Sequence, residues 1–322
     1  METGENLPNA ANSDYASTRP GVSAPAPLSA PAMVSAPVVH RGSARAASPE
    51  PFGHLVKRVD GDRWLASRFA PPPARARLEI LYAFAYEVAR TVEIVREPTL
   101  GQMRLTWWRD AIASTGAPAS AVGPLAAAMR ATIEDAQLDG DLLDRLIAAR
   151  ALDFEAAAFE SWGDLDAYVD ATAGAIAKVG LQICLPQEAR SGQAMACAQL
   201  VGRAWGYTGL MRAAPIWHGR GRTFLPKRLL EHFKVPPEAV FADGGGHQAQ
   251  QIRRAVLERA GHAYAAAKDM AQVLSPASFP AIGYLALEPG YRKRLLAGEA
   301  EAERSLFSRQ AQLVASSALG RL

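Results

Sequence analysis

From residue 52 onward, large apolar side chains return every three or four positions, and no run alternates strictly with polar residues. That period is helical, whereas a half-buried strand needs alternation, so the folded part is expected to be all-α. "PPPARARLEILYAFAYEVARTVEIVREP" opens on a proline cluster suited to a first helical turn and stops before Pro98. Leu81, Phe84, Ala85, Val88, Val92 and Val95 form its stripe, which predicts one continuous helix. "TLGQMRLTWWRDAIAST", "GPLAAAMRATIEDAQ" and "DGDLLDRLIAARALDFEAAAF" predict three more. "SWGDLDAYVDATAGAIAKVGLQICL" follows, with Asp164 as the expected N-cap and Asp166 in the first turn, where the helix dipole favours a negative charge. "SGQAMACAQLVGRAWGYTGLMRAAP" is expected to run to Pro215. The loop "WHGRGRTFLP" then leads to a short helix, "KRLLEHF", and "ADGGG" to a turn. "QIRRAVLERAGHAYAAAKDMAQVL" and "YRKRLLAGEAEAERSLF" close the chain, and no internal repeat is visible.

The opening segment is different in kind. Of its first fifty residues, eleven are Ala, seven Pro and seven Ser, with Val and Leu isolated between prolines. Such a stretch buries too little apolar surface to offset the entropy of ordering it. The chain is therefore divided into a disordered tail over 1–51 and one all-α domain over 52–322. The tail lacks the basic start and unbroken apolar run of a secretory signal. A transit peptide is the weaker alternative, because Arg19, Arg41 and Arg45 are few and Glu2, Glu5 and Asp14 sit among them.

Net charge is +3, too mild to point to nucleic acid. Cys184 and Cys197 lie in apolar, helical surroundings and read as free buried thiols of a reducing compartment. No stretch reaches about 18 uninterrupted apolar residues; the nearest, "ATAGAIAKVGLQICL", is broken by Lys178 and glycines. The expectation is a cytoplasmic protein, at most peripheral on the inner membrane.

Three blocks, "LYAF", "YVDATAGAIAKVG" and "YTGLMRAAPIWHGRGRTFLP", resemble in the same order three blocks of the squalene/phytoene synthase family. The resemblance spans about 52–300 and implies the isoprenoid synthase helical bundle, in which two prenyl diphosphates are joined head to head. In that chemistry a diphosphate departs, and its charge is neutralised by Mg²⁺ held on carboxylates from two facing Asp-rich motifs. The first motif reads Tyr-Ala-Phe-x-Arg-x-x-Asp-Asp-x-x-Asp. On this chain it begins at Tyr82, its arginine falls on Tyr86, and its aspartates fall on Ala89, Arg90 and Glu93. In the second, Thr208, Arg212, Gly221, Arg222, Leu225 and Pro226 match. Gly209 replaces the asparagine, Ala213 the first aspartate, and Ile216 and Trp217 the Glu-Asp pair. Of the six carboxylate positions only Glu93 keeps one, and it reads as a salt-bridged or solvated side chain facing Arg90. Asp166 with Asp170, and Glu93 with Glu97, have face-sharing spacings but do not rebuild two opposed sites.

The departures are themselves patterned. "MRAAPIWHGRGRTFLP", with Arg212, Ala213, Pro215, His218 and Gly219, is similar to the non-catalytic branch of the family, which includes an assembly factor of respiratory complex I. That resemblance implies complex I subunits or assembly intermediates as partners, no cofactor, no metal, and no catalytic residue. Two alternatives stand beside it. One is a divergent prenyltransferase using Mg²⁺; the other is a carrier that keeps the pocket for an isoprenoid or lipid ligand. Arg212, His218, Arg220, Arg222, Lys227 and Arg228 gather in one segment, either as a solvated basic loop or as an anion site. His218 lacks a second polar group at a spacing suited to acid–base work. Trp107 and Trp108 are both read as core residues, the alternative being that one is exposed at a partner or membrane interface.

Overall fold

The computed structural model describes residues 50–114, 118–157, 159–241, 246–299 and 304–320. The expected tail lies outside them apart from Glu50 and Pro51, which already belong to the first helix, and so does most of "ADGGG". The first half of the fold comprises α1 (Glu50–Val59), α2 (Gly61–Ser67), α3 (Pro72–Ala89), α4 (Thr91–Ile94), α5 (Pro98–Ala113), α6 (Ala119–Val122), α7 (Pro124–Ala136) and α8 (Gly140–Ala149). The second half comprises α9 (Trp162–Val169), α10 (Ala175–Cys184), α11 (Gly192–Gly219), α12 (Lys227–Phe233), α13 (Pro237–Val240), α14 (His247–Ala271), α15 (Phe279–Ile282), α16 (Glu288–Leu296) and α17 (Leu306–Ala318). Among the described residues the one extended pairing is an isolated parallel bridge between Ala157 and Thr223. The chain folds as an all-α bundle.

The apolar stripe of α3 sets the first core. Leu78, Leu81, Tyr82, Phe84, Ala85 and Val88 are buried at helical spacing, with Phe84 edge-on to Trp108 at 5.5 Å. A second core forms around Tyr168, Tyr207, Phe224, Leu257 and their neighbours, and Trp217 packs against both. The long helix α11 lies along α14 and along the single π-helical turn, Asp170–Gly174, that joins α9 to α10. That last contact is backbone against backbone: a Cβ added at Gly202 would overlap Gly174 and Ala173.

The structure differs from the sequence expectations at the helix ends. The helix expected through to Glu97 stops at Ala89. The carbonyl of Arg90 then accepts the N–H groups of Glu93 and Ile94, at 2.9 and 3.2 Å, to start α4. The helix after Asp139 ends at Ala149 and tightens into a 3₁₀ turn over Arg150–Phe154. Residues three apart eclipse in such a turn, which brings Arg150 to 3.3 Å from Asp153. Ser161, not Asp164, caps α9: its side chain accepts from the Asp164 N–H while Asp164 accepts the Ser161 N–H at 2.8 Å, a reciprocal capping box. α11 passes through Pro215 to Gly219, because one missing N–H costs a single hydrogen bond while Trp217 anchors the last turn in both cores. The segment after Tyr291 holds two helices, α16 and α17, rather than one.

Candidate functional site

The two degenerate motifs sit on the C-terminal end of α3 with α4, and on the C-terminal half of α11 with the loop after it. Tyr82 is buried, and the guanidinium of Arg63 lies 5.6 Å from its ring and 4.9 Å from that of Tyr284. Burial drives the Tyr82 phenol well above its usual range, so it stays a neutral core residue. Tyr86 and Ala89 are half-buried, and Arg90 leans over the Tyr86 ring at 5.4 Å.

Glu93 makes its ion pair elsewhere than with Arg90, although its charge still acts on that guanidinium. Arg90 is paired with Glu87 at 2.9 Å, whereas Glu93 lies 3.9 Å from Arg220 of the loop after α11. The break at Arg90 separates Glu93, on α4, from α3, and its carboxylate reaches the loop after α11. The retained carboxylate of the first motif therefore bridges to the second motif's loop through an arginine.

On α11, Thr208 is buried and donates to Glu288 Oε1 at 3.0 Å. Arg292 also donates to that oxygen, at 2.9 Å, and burial pushes the Glu288 carboxyl above its usual range. Arg212 lies over the ring of Tyr291 at 4.3 Å and 3.9 Å from Asp62. Asp62 itself accepts from Tyr291 and from Arg309 on α17, each at 2.8 Å. Ala213 is half-buried, as are Trp217 and His218, the latter with its ring 6.5 Å from Phe241. Arg222 donates to the carbonyl of Asp153 at 2.7 Å. Lys227 and Arg228 flank Glu160 at 3.7 and 3.8 Å. Arg212, Arg220, Arg222, Lys227 and Arg228 each have an acidic or carbonyl partner.

The other acidic residues near these helices are held in the same way. Asp170 accepts two hydrogen bonds from Arg203 at 2.7 Å and one from Gln199 at 2.8 Å. Asp166, expected to serve the helix start, accepts from Tyr207 and from Arg259, the latter at 2.6 Å. Asp153 accepts from Tyr168 at 2.5 Å and Arg150 at 3.3 Å, and burial pushes its carboxyl up. Sequence reading could not find most of these pairs, whose partners stand up to 93 positions away. Among the described residues no group of three or more His, Cys, Asp or Glu is placed to hold a metal ion.

Magnesium, which the fold's prenyl-transfer chemistry uses, needs several oxygen donors at one point. Ala89, Arg90, Ala213, Ile216 and Trp217 supply none and the first of the two arginine-bearing motifs adds a fixed cation, so these residues do not fit it. Beside the second motif, Leu152, Asp153, Tyr168, Leu210 and Trp217 line a cavity of about 10 Å³, room for about one water molecule.

An exposed apolar stripe completes the region. Leu100, Met103 and Trp107 follow one face of α5, and Ile94 precedes them on α4; all four are 43–63% exposed. Trp108, beside Trp107, is buried, so the pair is split between surface and core. No helix among the described residues is long and apolar enough to cross a membrane.

Comparison with known proteins bears on the fold and the family. Assembly factor 6 of NADH dehydrogenase (ubiquinone) complex I from Mus musculus is 25% identical over 232 residues, 70% of this chain and 68% of that protein. Presqualene diphosphate synthase of Rhodopseudomonas palustris is 27% identical over 203 residues, 61% of this chain and 70% of that one. The crystal structure of a dehydrosqualene synthase superposes with a TM-score of 0.65 at 17% identity, over 84% of this chain and 95% of the other, a likeness of fold. The squalene/phytoene synthase family model matches residues 56–314, and the chain belongs to that family.

Proposed function

We propose that this chain is a non-catalytic member of its family that acts in the assembly of respiratory complex I, by contact with complex I subunits or assembly intermediates. The observation that carries this reading is the state of Glu93. It is the last carboxylate left in the two motifs, and Arg220 faces it where a metal ion would otherwise be its counter-charge. The likeness to the mouse assembly factor supports the biological setting. The stripe of Ile94, Leu100, Met103 and Trp107, flanked by Arg96 and Arg104, is the kind of surface such a protein uses on a partner. A location against the inner membrane, as a peripheral protein, accords with that role.

The test has two parts. Farnesyl or geranylgeranyl diphosphate with Mg²⁺ should yield no pyrophosphate above a blank. A deletion strain should keep its isoprenoids and lose NADH-linked respiration. Steady turnover would instead establish the prenyltransferase reading, which the relative from Rhodopseudomonas palustris favours. Co-purified isoprenoid would establish the carrier.

A further inference from the structure

At the opposite end of α3 from the motif, α1, α2 and the first turns of α3 surround an open hollow of about 320 Å³ lined by His54, Lys57, Trp64, Arg68, Arg75 and Glu79. Arg75 and Arg90 stand fifteen residues apart on and just past this helix, about 22 Å at the helical rise, so the hollow is separate from the motif region.

Its charge is unbalanced. Lys57, Arg68 and Arg75 bring three basic side chains, and Glu79 is the one carboxylate in the lining. Glu79 is paired with Arg68. Arg75 uses Nη2 on the carbonyls of Arg68 and Ala70, at 3.1 and 3.0 Å, which fixes its guanidinium at the end of α2. The Nε atoms of both arginines are buried without an acceptor. Lys57 Nζ and the Arg68 guanidinium each stand about 5 Å from the Trp64 ring, at 5.0 and 4.9 Å, so the indole gathers positive charge around itself. Burial and the charge of Arg75 both pull Arg68 below its usual basicity, the mark of two guanidiniums crowded together.

An anion entering this hollow meets cationic side chains from three helices, Lys57 of α1, Arg68 at the end of α2 and Arg75 of α3. A tetrahedral group with several oxygens satisfies donors converging from different directions better than a planar carboxylate does. The volume suits a head group rather than a long chain. We infer that the hollow between α1, α2 and α3 binds a phosphate group, carried either by a soluble phosphate ester or by a lipid head group.

The experiment uses the full-length protein, with Lys57→Glu and Arg68→Gln as site variants and Lys293→Glu, at an exposed position elsewhere, as a control whose charge change equals that of Lys57→Glu. Calorimetric titration with inorganic phosphate and with glycerol 3-phosphate, at ionic strength matched with chloride, reads the soluble arm. Co-sedimentation with phosphatidylcholine vesicles, with and without an equal part of phosphatidylglycerol, reads the lipid arm. Wild type and Lys293→Glu should bind in at least one arm, and both site variants should bind about tenfold more weakly or worse. Binding in the soluble arm identifies a free phosphate ester; binding confined to phosphatidylglycerol vesicles identifies a head group. Absence of binding in both arms overturns the inference, as does an equal loss in Lys293→Glu or full retention in Lys57→Glu with an unchanged melting curve.

Discussion

The hydroxyl of Thr208 on α11 stands 3.0 Å from Oε1 of Glu288, the first residue of α16, and donates to a carboxylate with no solvent exposure. Arg292 donates to the same oxygen, while Oε2 is buried without a partner. The matching threonine of the family's second motif has thus become a support for a structural carboxylate. Replacing it with valine keeps the shape and removes the donor. Thr208→Val should lower unfolding free energy by about 1–3 kcal/mol in a urea titration. A change within error would mean that water already serves Glu288.

The same carboxylate gives a pH dependence with a defined sign. Burial raises the folded-state pKa of Glu288 above its unfolded value. Below the ordinary glutamate range the group is protonated in both states and its contribution is complete. As pH rises from that range through the raised folded value, the unfolded chain gives up its proton first, so this contribution is lost. Relative to wild type, Glu288→Gln should therefore gain stability as pH rises through that window. Parallel curves for the two proteins would contradict the assignment.

Close backbone approach makes Gly202 the most sensitive small residue on α11. A methyl there meets the carbonyl carbon of Ala173 at 2.8 Å and overlaps Gly174, and neither is a side chain that can swing away. Gly202→Ala should cost about 3 kcal/mol or more, at the top of the range for overpacking, because two helical segments must separate. Gly209, where an added Cβ meets nothing within 4 Å, is the control. Gly209→Ala should be neutral or stabilising by up to about 1 kcal/mol from helix propensity. Thermal melts of the two variants test the contrast.

The thiols should be silent in the folded protein. Burial pushes Cys184 up to about 12 and Cys197 up to about 11, and only the thiolate attacks. At pH 8 the native protein should react with a colourimetric disulfide reagent far more slowly than the denatured chain, which should release two equivalents, matching its two cysteines. Fast reaction of the native protein would show that these helices open readily.

Much of the fold was legible because burial writes a period into sequence: α5, α7 and α14 lie within a few residues of their expected places, and α3 begins where its proline cluster predicts. The boundaries were less so. The stripe of Val88, Val92 and Val95 keeps helical spacing across Arg90, so nothing in it signals the break between α3 and α4. Asp164 is a good capping residue by type, and only its hydrogen bonds with Ser161 show that it occupies the third helical position. The loss of motif carboxylates could be read directly from the residues. Their replacement partners could not: Arg220 for Glu93, Asp62 for Arg212 and Arg259 for Asp166 are tertiary neighbours that no local spacing encodes.

Trp107 and Trp108 separate stability from surface function at adjacent positions. Their rings touch edge to face with centroids 4.8 Å apart, yet Trp108 is 5% exposed and packs on Phe84, while Trp107 is 43% exposed beside Met103. Trp108→Ala opens a cavity in the first core and should cost about 3–5 kcal/mol. Trp107→Ala removes mainly solvent-facing area and should cost under about 1 kcal/mol. If the stripe is the contact surface proposed for assembly, Trp107→Ala combined with Met103→Ala should leave the melting temperature nearly unchanged and still fail to restore NADH-linked respiration in the deletion strain. An exposed aromatic anchor commonly carries a large part of an interface's energy, so this pair should be sufficient to break it. Full rescue by the double variant would move the contact to another face of the bundle, whereas a collapse in stability would show that Trp107 supports the core through Trp108.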